Sequence, residues 1–268
     1  MTPAVRCIGL RQKFGDTVAV DGLDLVVECG LVFGLLGPNG AGKTTTIRML
    51  TTLLPATSGT IEVLGRDAAR QRTAVRRLIG YVPQQLSADG TLTGRENVAL
   101  FARLYDVPRR ARTAQIDAVL EAVDLADVAD RQARTYSGGM IRRLELAQAL
   151  VSAPRLLILD EPTVGLDPVA RDGVWERIQA TREATGMTVL VTTHAMQEAD
   201  ENCDRIALMH RGRIRAEGAP ADLKSALGPD ATLDDVFRHH TGNTLTEDSE
   251  NGGMRNVRAA RRTARRVG

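Results

Sequence analysis

The sequence predicts an α/β fold built on a parallel sheet. Three features predict it. Gly37-Pro38-Asn39-Gly40-Ala41-Gly42-Lys43-Thr44 is a glycine-rich turn between an apolar run and an amphipathic segment. Leu156-Leu157-Ile158-Leu159 and Thr188-Val189-Leu190-Val191 are short runs of the kind buried on both faces of a parallel sheet. A helix-periodic stretch, Arg171 to Thr185, joins those two runs. Strand, helix, strand in one sheet is a right-handed crossover.

The elements follow in chain order. Residues 4–27 alternate loosely, with Val18, Val20, Leu23, Leu25 and Val27 apolar, and read as β-structure. Leu31 to Leu36 is a buried strand, and Thr45 to Leu54 is a helix with Ile47, Leu50 and Leu54 on one face. Thr60 to Leu64 and Leu78 to Val82 are further strands. From Ser87 to Ala153 the signal is mostly helical; Arg112 to Val123, for example, lines up Ile116, Val119, Leu120 and Val123. Arg171 to Thr185 turns Val174 and Ile178 inward and stops at Gly186. Ile206 to Met209 and Arg213 to Ala216 flank Arg211-Gly212 as a hairpin. Past Thr241 the chain turns polar and biased, and disorder is expected.

Each residue of the glycine-rich turn has a physical role. Glycines let successive N–H groups point at one anion without a Cβ in the way. That nest cradles nucleotide phosphates, and the helix it opens adds its positive end. Lys43 is placed to reach the β- and γ-phosphates, and the Thr44 hydroxyl to ligate Mg²⁺. The chain has 35 Lys plus Arg, yet its only lysines are Lys13, Lys43 and Lys224. An ammonium is kept where a compact charge fits between phosphates.

A second cluster completes the chemistry. Asp160 and Glu161 end the apolar run 156–159, so they fall on the ligand edge of an open α/β sheet. Asp160 can hold Mg²⁺, and Glu161 can polarise the water that attacks a γ-phosphate. His194 follows Thr188 to Thr193 and should emerge at the same edge, where it could sense that phosphate. Tyr136-Ser137-Gly138-Gly139-Met140 opens another helix, with Ser137 as its N-cap. Two glycines there cost up to ~1 kcal/mol each inside a helix, a cost explained if a phosphate approaches the backbone.

Bulk composition narrows the function classes. A hydrophobic content of 43% supports a real core. No apolar run reaches the ~20 residues that span a bilayer. Met1 to Arg11 lacks the apolar stretch of a secretory signal, so a soluble, cytosolic protein is expected. Cys7, Cys29 and Cys203 show no CxxC spacing and read as reduced thiols. Residues 251–268 carry six arginines and no acid; the remainder has 29 bases against 33 acids. That mildly acidic body argues against nucleic-acid binding.

Taken together, these residues resemble the ATP-binding subunit of an ABC transporter over about residues 4–240. Gly37 to Thr44 matches the Walker A motif, and Leu156 to Glu161 matches Walker B with its catalytic glutamate. Tyr136 to Met140 resembles the family's signature motif, with Tyr for the usual Leu and Met for the usual Gln. Tyr81-Val82-Pro83-Gln84 resembles the Q-loop, Gly165-Leu166-Asp167 the D-loop, and His194 the switch histidine. Phe14 resembles the aromatic residue that stacks on adenine, worth ~1–3 kcal/mol by analogy with base stacking.

The resemblance implies an α/β, RecA-like P-loop NTPase core with an antiparallel β-subdomain and an inserted α-helical subdomain at about 87–153. It makes Glu161, His194 and Gln84 the catalytic residues. Thr44, Gln84 and Asp160 become the Mg²⁺ residues. ATP would be held by Phe14, Gly37, Asn39, Gly40, Ala41, Gly42, Lys43, Thr44 and Thr45, and by Ser137, Gly139 and Asp167. Residues 241–268 would form a polar, Arg-rich tail.

Tyr-Ser-Gly-Gly-Met followed by Arg142-Arg143-Leu144 is similar to the daunorubicin/doxorubicin-resistance type of drug exporter. Thr232 to Phe237 resembles that group's ending, and only Ala226 to Ala231 separates it from the catalytic domain, so no separate regulatory subdomain is expected. The resemblance implies a head-to-tail, ATP-dependent dimer in which one copy's P-loop meets the other's Ser137 and Gly139. It also implies a separate transmembrane permease, docked near Leu92 to Leu104, that holds the subunit on the inner face of the cell membrane. Two rivals stay open: a non-transport ABC ATPase acting on nucleic acid or the ribosome, and an ATP-gated regulatory module. In the tail, Arg255, Arg258, Arg262 and Arg265 would share a face if helical, each worth about 1 kcal/mol near anionic lipid; a solvated tail is the other reading.

Overall fold

The computed structural model describes residues 2–242, so the readings made for residues 243–268 lie outside the described residues. In chain order the elements are β1 (Val5–Phe14), β2 (Thr17–Val27), β3 (Val32–Leu36), α1 (Lys43–Leu50), β4 (Ser58–Val63), β5 (Arg66–Asp67), α2 (Arg72–Arg76) and β6 (Ile79–Val82). Then come α3 (Gly94–Leu104), α4 (Arg109–Ala122), α5 (Gly138–Leu150), β7 (Leu156–Asp160), α6 (Pro168–Thr185) and β8 (Thr188–Thr193). The described chain closes with α7 (Met196–Asn202), β9 (Arg205–His210), β10 (Arg213–Gly218), α8 (Pro220–Ser225) and α9 (Leu233–Thr241).

The strands form two sheets. One is antiparallel, ordered β2-β1-β4-β5. The other is ordered β10-β9-β3-β8-β7-β6; every pair is parallel except β9 with β10. Successive side chains on a strand point to opposite faces, and the core divides accordingly. Val32 and Leu36 of β3, Leu157 and Leu159 of β7, and Val189 and Val191 of β8 join the helices on one side. Phe33, Leu35, Leu156, Ile158 and Leu190 meet the antiparallel sheet and α1 on the other. Burial on both faces explains why these strands read as unbroken apolar runs.

Several boundaries differ from the sequence reading, each for a local reason. The helix after the glycine-rich turn starts at Lys43 and stops at Leu50. There Thr51 Oγ1 donates to the Ile47 carbonyl at 2.8 Å and Thr52 takes a φ of 62°, so Leu54 lies beyond the helix. The helix expected from Arg171 begins three residues earlier, because Pro168 fits a first turn and the Asp167 carboxylate accepts from the Ala170 N–H at 2.9 Å. The Thr232 to Phe237 segment, recognised only as an ending, is the start of α9. Thr232 and Asp235 form a capping box, and Leu233, Val236 and Phe237 are buried in the main core.

The departure at Tyr136 has a structural basis. Its ring is buried, and its hydroxyl donates to the Val128 carbonyl at 2.7 Å. A Cβ on Gly94 would run into that hydroxyl, so the two residues fit only as a pair. Gly94→Ala should therefore destabilise the protein by about 1–3 kcal/mol in urea unfolding. Adding Tyr136→Leu, which removes the obstructing hydroxyl, should recover part of that loss.

Candidate active site

Strand order puts the chemistry on one edge. β3, β8 and β7 lie side by side, with Leu36 opposite Thr193 and Asp160 opposite Thr192. The glycine-rich loop, Glu161 and His194 therefore leave the sheet together at its C-terminal end, the ligand edge of such sheets.

The loop is shaped by contacts only glycine tolerates. Gly42 has φ 109°, and a Cβ there would sit 2.5 Å from the Ala19 carbonyl oxygen of β2. A Cβ on Gly37 would run into the Met209 carbonyl. α1 begins at Lys43 with no side-chain cap and no acid in its first turn, so its positive end is left for an anion.

Two acids end β7 and do different things. Asp160 Oδ1 accepts from Thr192 Oγ1 at 2.6 Å and from Thr44 Oγ1 at 3.2 Å. Its Oδ2 is buried with no hydrogen-bond partner. Burial is the main force pushing the Asp160 carboxyl above its ordinary value; the Thr192 and Thr44 hydroxyls offset only part of it. An unpartnered buried oxygen beside a threonine hydroxyl is a donor set that suits a hard cation.

Glu161 takes a left-handed φ of 51°, a conformation that costs roughly 1–3 kcal/mol in a non-glycine residue. Its N–H is held by the Thr192 carbonyl at 3.1 Å and by Thr192 Oγ1 at 3.0 Å. The turned carboxylate receives Lys43 Nζ at 3.1 Å, Gln84 Nε2 at 3.2 Å and His194 Nδ1 at 3.4 Å. Lys43 also donates to the carbonyls of Gly37 at 2.7 Å and Pro38 at 3.2 Å. Lys43 and Glu161 are both buried, whereas His194 is exposed.

The structure thus brings together Lys43, Thr44, Gln84, Asp160, Glu161 and His194. It keeps four other predicted site residues apart from them. Phe14 is half-exposed at the tip of the β1–β2 hairpin. Ser137 caps α5, accepting from the Met140 N–H at 3.3 Å, and Gly138 and Gly139 form that helix's first turn. Asp167 spends its carboxylate on capping α6.

Comparison with known proteins now decides the family. The ABC transporter family model matches residues 20–164, more than half of the chain. The chain belongs to the ABC transporter ATP-binding family. It is 47% identical over 235 residues to the "Daunorubicin resistance ATP-binding protein DrrA3" of Streptomyces coeruleorubidus, covering 88% of this chain and 74% of that protein. It is 49% identical over 230 residues to the "Daunorubicin/doxorubicin resistance ATP-binding protein DrrA" of Streptomyces peucetius, with 85% and 68% covered. A "Nod factor export ATP-binding protein I" of Burkholderia lata is 43% identical over 252 residues, with 88% and 83% covered. A solved structure described as the ATP binding subunit of an ABC transporter superposes with a TM-score of 0.79 at 28% identity, covering 89% of this chain and 99% of that one.

The RecA-like α/β fold expected from the sequence is thus the fold found. The subunit is an ATPase coupled to transport, of the exporter type, and such subunits work with a separate membrane-embedded partner. No helix among the described residues is long and apolar enough to cross a membrane itself.

Thr192 was missed by the sequence reading. It clamps Asp160 by its side chain and Glu161 by both its hydroxyl and its carbonyl. The available signal was a hydroxyl near the end of an apolar run expected to pair with the acid-ended strand.

A carboxyl whose folded pKa lies above its unfolded value lowers stability once ionised, so that cost appears as pH rises through the folded pKa. Without metal at neutral pH, Asp160→Asn should therefore melt at or above the wild-type temperature. The gap should close as the pH falls toward about 4, the ordinary aspartate value.

Proposed function

We propose that the cluster around Glu161 hydrolyses ATP and that the energy drives a membrane-embedded export partner. The observation that carries this reading is the placement of one buried carboxylate against Lys43, Gln84 and His194 beside the glycine-rich loop. Backbone N–H groups of residues 39–45 take the phosphates, and Phe14 takes the adenine face. Lys43 leaves Glu161 for the β- and γ-phosphate oxygens. Released from that pair, Glu161 accepts a proton from the attacking water, and His194 stands 3.4 Å away to orient the site. Thr44 Oγ1, Gln84 Oε1 and Asp160 Oδ2 are the oxygens that fit Mg²⁺, which when bound neutralises phosphate charge.

One chain offers a half-site. Ser137 and Gly139 open α5 with N–H groups suited to a γ-phosphate, yet lie apart from the loop. A head-to-tail dimer brings one chain's loop to the other chain's Ser137 and Gly139, with Asp167 at the same junction. The γ-phosphate then holds the dimer closed until hydrolysis releases it.

The partner surface is proposed at a groove between the α2–β6 region and α3. The groove, of about 370 Å³, is lined by Leu53, Ile79, Tyr81, Phe101, Leu104 and Tyr105. Leu53 and Leu104 are exposed at its wall. A permease segment that filled this groove would hold the subunit at the inner face of the cell membrane. The names of the relatives, drug resistance and Nod factor export, support an exported cargo of drug-like or hydrophobic character.

Glu161→Gln should bind MgATP, accumulate as a dimer in gel filtration and lose turnover. Because ATP would supply Lys43 with a replacement anion, nucleotide should raise the melting temperature of Glu161→Gln more than that of wild type. Normal turnover by this variant would remove Glu161 from its role. Lys43→Ala should instead weaken nucleotide affinity itself. Leu53→Asp combined with Leu104→Asp should lose co-purification with the membrane partner while basal ATPase is retained.

A further inference from the structure

α5 carries a stripe that a buried helix ordinarily lacks. Arg142, Glu145 and Gln148 recur every three residues, and all are buried. Charged side chains are almost never buried without partners. Here every partner outside the helix belongs to one segment, residues 83–97.

Arg142 Nη1 donates to the Pro83 carbonyl at 3.0 Å, and Nη2 to the Gln84 carbonyl at 2.5 Å. Nη1 also meets Glu145 Oε2 at 2.9 Å. Glu145 Oε1 in turn receives the Ser87 N–H, and the Ser87 hydroxyl at 3.1 Å. Gln148 Nε2 donates to Asn97 Oδ1 at 3.2 Å, and Asn97 Nδ2 donates to the carbonyls of Asp89 at 2.9 Å and Thr93 at 3.0 Å. Side chains of one helix, with Asn97, thus pin the backbone from Pro83 to Thr93. Gln84 lies inside that stretch, and its side chain is the one that meets Glu161.

We propose that Arg142 and Glu145 are positioning residues: their buried ion pair fixes the Gln84 backbone to α5, and so sets where the Gln84 amide stands against the Glu161 carboxylate. The strap joins two distant things, because Ser137 and Gly139 open the same helix. In the dimer proposed above it would link Gln84 of one ATP site to the phosphate contacts of the other; that extension rests on the dimer, and the strap does not. A single guanidinium serves two carbonyls and a carboxylate at once, and its planar fork holds all three in a fixed relative geometry. Burying such a pair is expensive, and apolar residues of similar volume in its place are often neutral or stabilising. Stability alone therefore does not account for the pair.

That contrast gives the test. Arg142→Met with Glu145→Leu is compared with wild type in full-length protein by thermal melting, ADP affinity, ATP turnover and hydrogen exchange at the Ser87 amide. The expected result is an unchanged or higher melting temperature and ADP affinity within about twofold, with faster exchange at Ser87. The turnover number should fall about 10- to 100-fold, the scale of a misplaced catalytic group. A folded variant with wild-type turnover overturns the proposal, as does a loss of turnover matched by equal loss of ADP affinity. Should the double variant fail to fold, Glu145→Gln keeps the shape and weakens the hold on Ser87. It should show faster Ser87 exchange and reduced turnover, and wild-type values for both overturn the proposal. If wild type itself shows no Glu161-dependent turnover, the hydrolysis reading fails, while exchange at Ser87 still reads the strap.

Discussion

A lysine and a glutamate, both taken out of water, tie the site together. Lys43 comes from the loop after β3, and Glu161 from the end of β7. Neither charge is tolerable alone at that depth, and removing one partner of such a pair typically costs about 3–5 kcal/mol. The surroundings complete both shells. Carbonyls of Gly37 and Pro38 serve the ammonium, while Gln84 and His194 serve the carboxylate. The strand order β3-β8-β7 follows as a requirement, because β8 must supply Thr192 to hold Asp160 and Glu161 in place. A nucleotide phosphate would offer Lys43 an anion of equal or greater charge. In the proposed reaction its arrival would free Glu161 for proton transfer, which would make the pair a switch as well as a structural tie.

The same economy extends into the helical layer. Residues 83–93 have no regular secondary structure, yet they carry Gln84 to the carboxylate. Apolar packing could hold such a segment but would not fix its register, since hydrophobic contact is non-directional. Hydrogen bonds from Arg142, Glu145 and Asn97 to named backbone atoms do fix it.

Much of this was legible in the sequence. Strands buried on both faces announce themselves as apolar runs, so β3, β7 and β8 and the edge they share could be placed. The acids and the histidine followed from where those runs end. Boundaries failed where a local hydrogen bond decided, as at Thr51 and Asp167. The strap was illegible for a different reason. Arg142 and Glu145 sit at helical spacing and look like a solvated pair; only the return of residues 83–87 against α5 buries them. Tyr136 likewise appeared as a departure from a motif, and its partner Gly94 lies too far away in sequence to suggest a fit. Phe14 and Asp167 were found from family likeness, Ser137 and Gly139 from their helix-opening pattern as well, and within one chain no hydrogen bond or ion pair among the described residues joins any of the four to the cluster at Glu161.

That last fact bears on assembly. The loop, the acids and His194 converge, while no hydrogen bond or ion pair among the described residues joins them to the first turn of α5, which is the arrangement the proposed two-chain site requires. Cross-linking reads this most directly. Cys29 is the exposed thiol among the three, with Cys7 and Cys203 buried, so Cys29→Ser gives a clean background. One chain then carries Asn39→Cys in the loop, and a differently tagged chain carries Ser137→Cys at the start of α5. With MgATP and a short bifunctional maleimide, the two tags should appear in one covalent pair, and without nucleotide they should not. Absence of that pair in the presence of MgATP, or cross-linking confined to a single chain bearing both cysteines, would contradict a site shared between two copies.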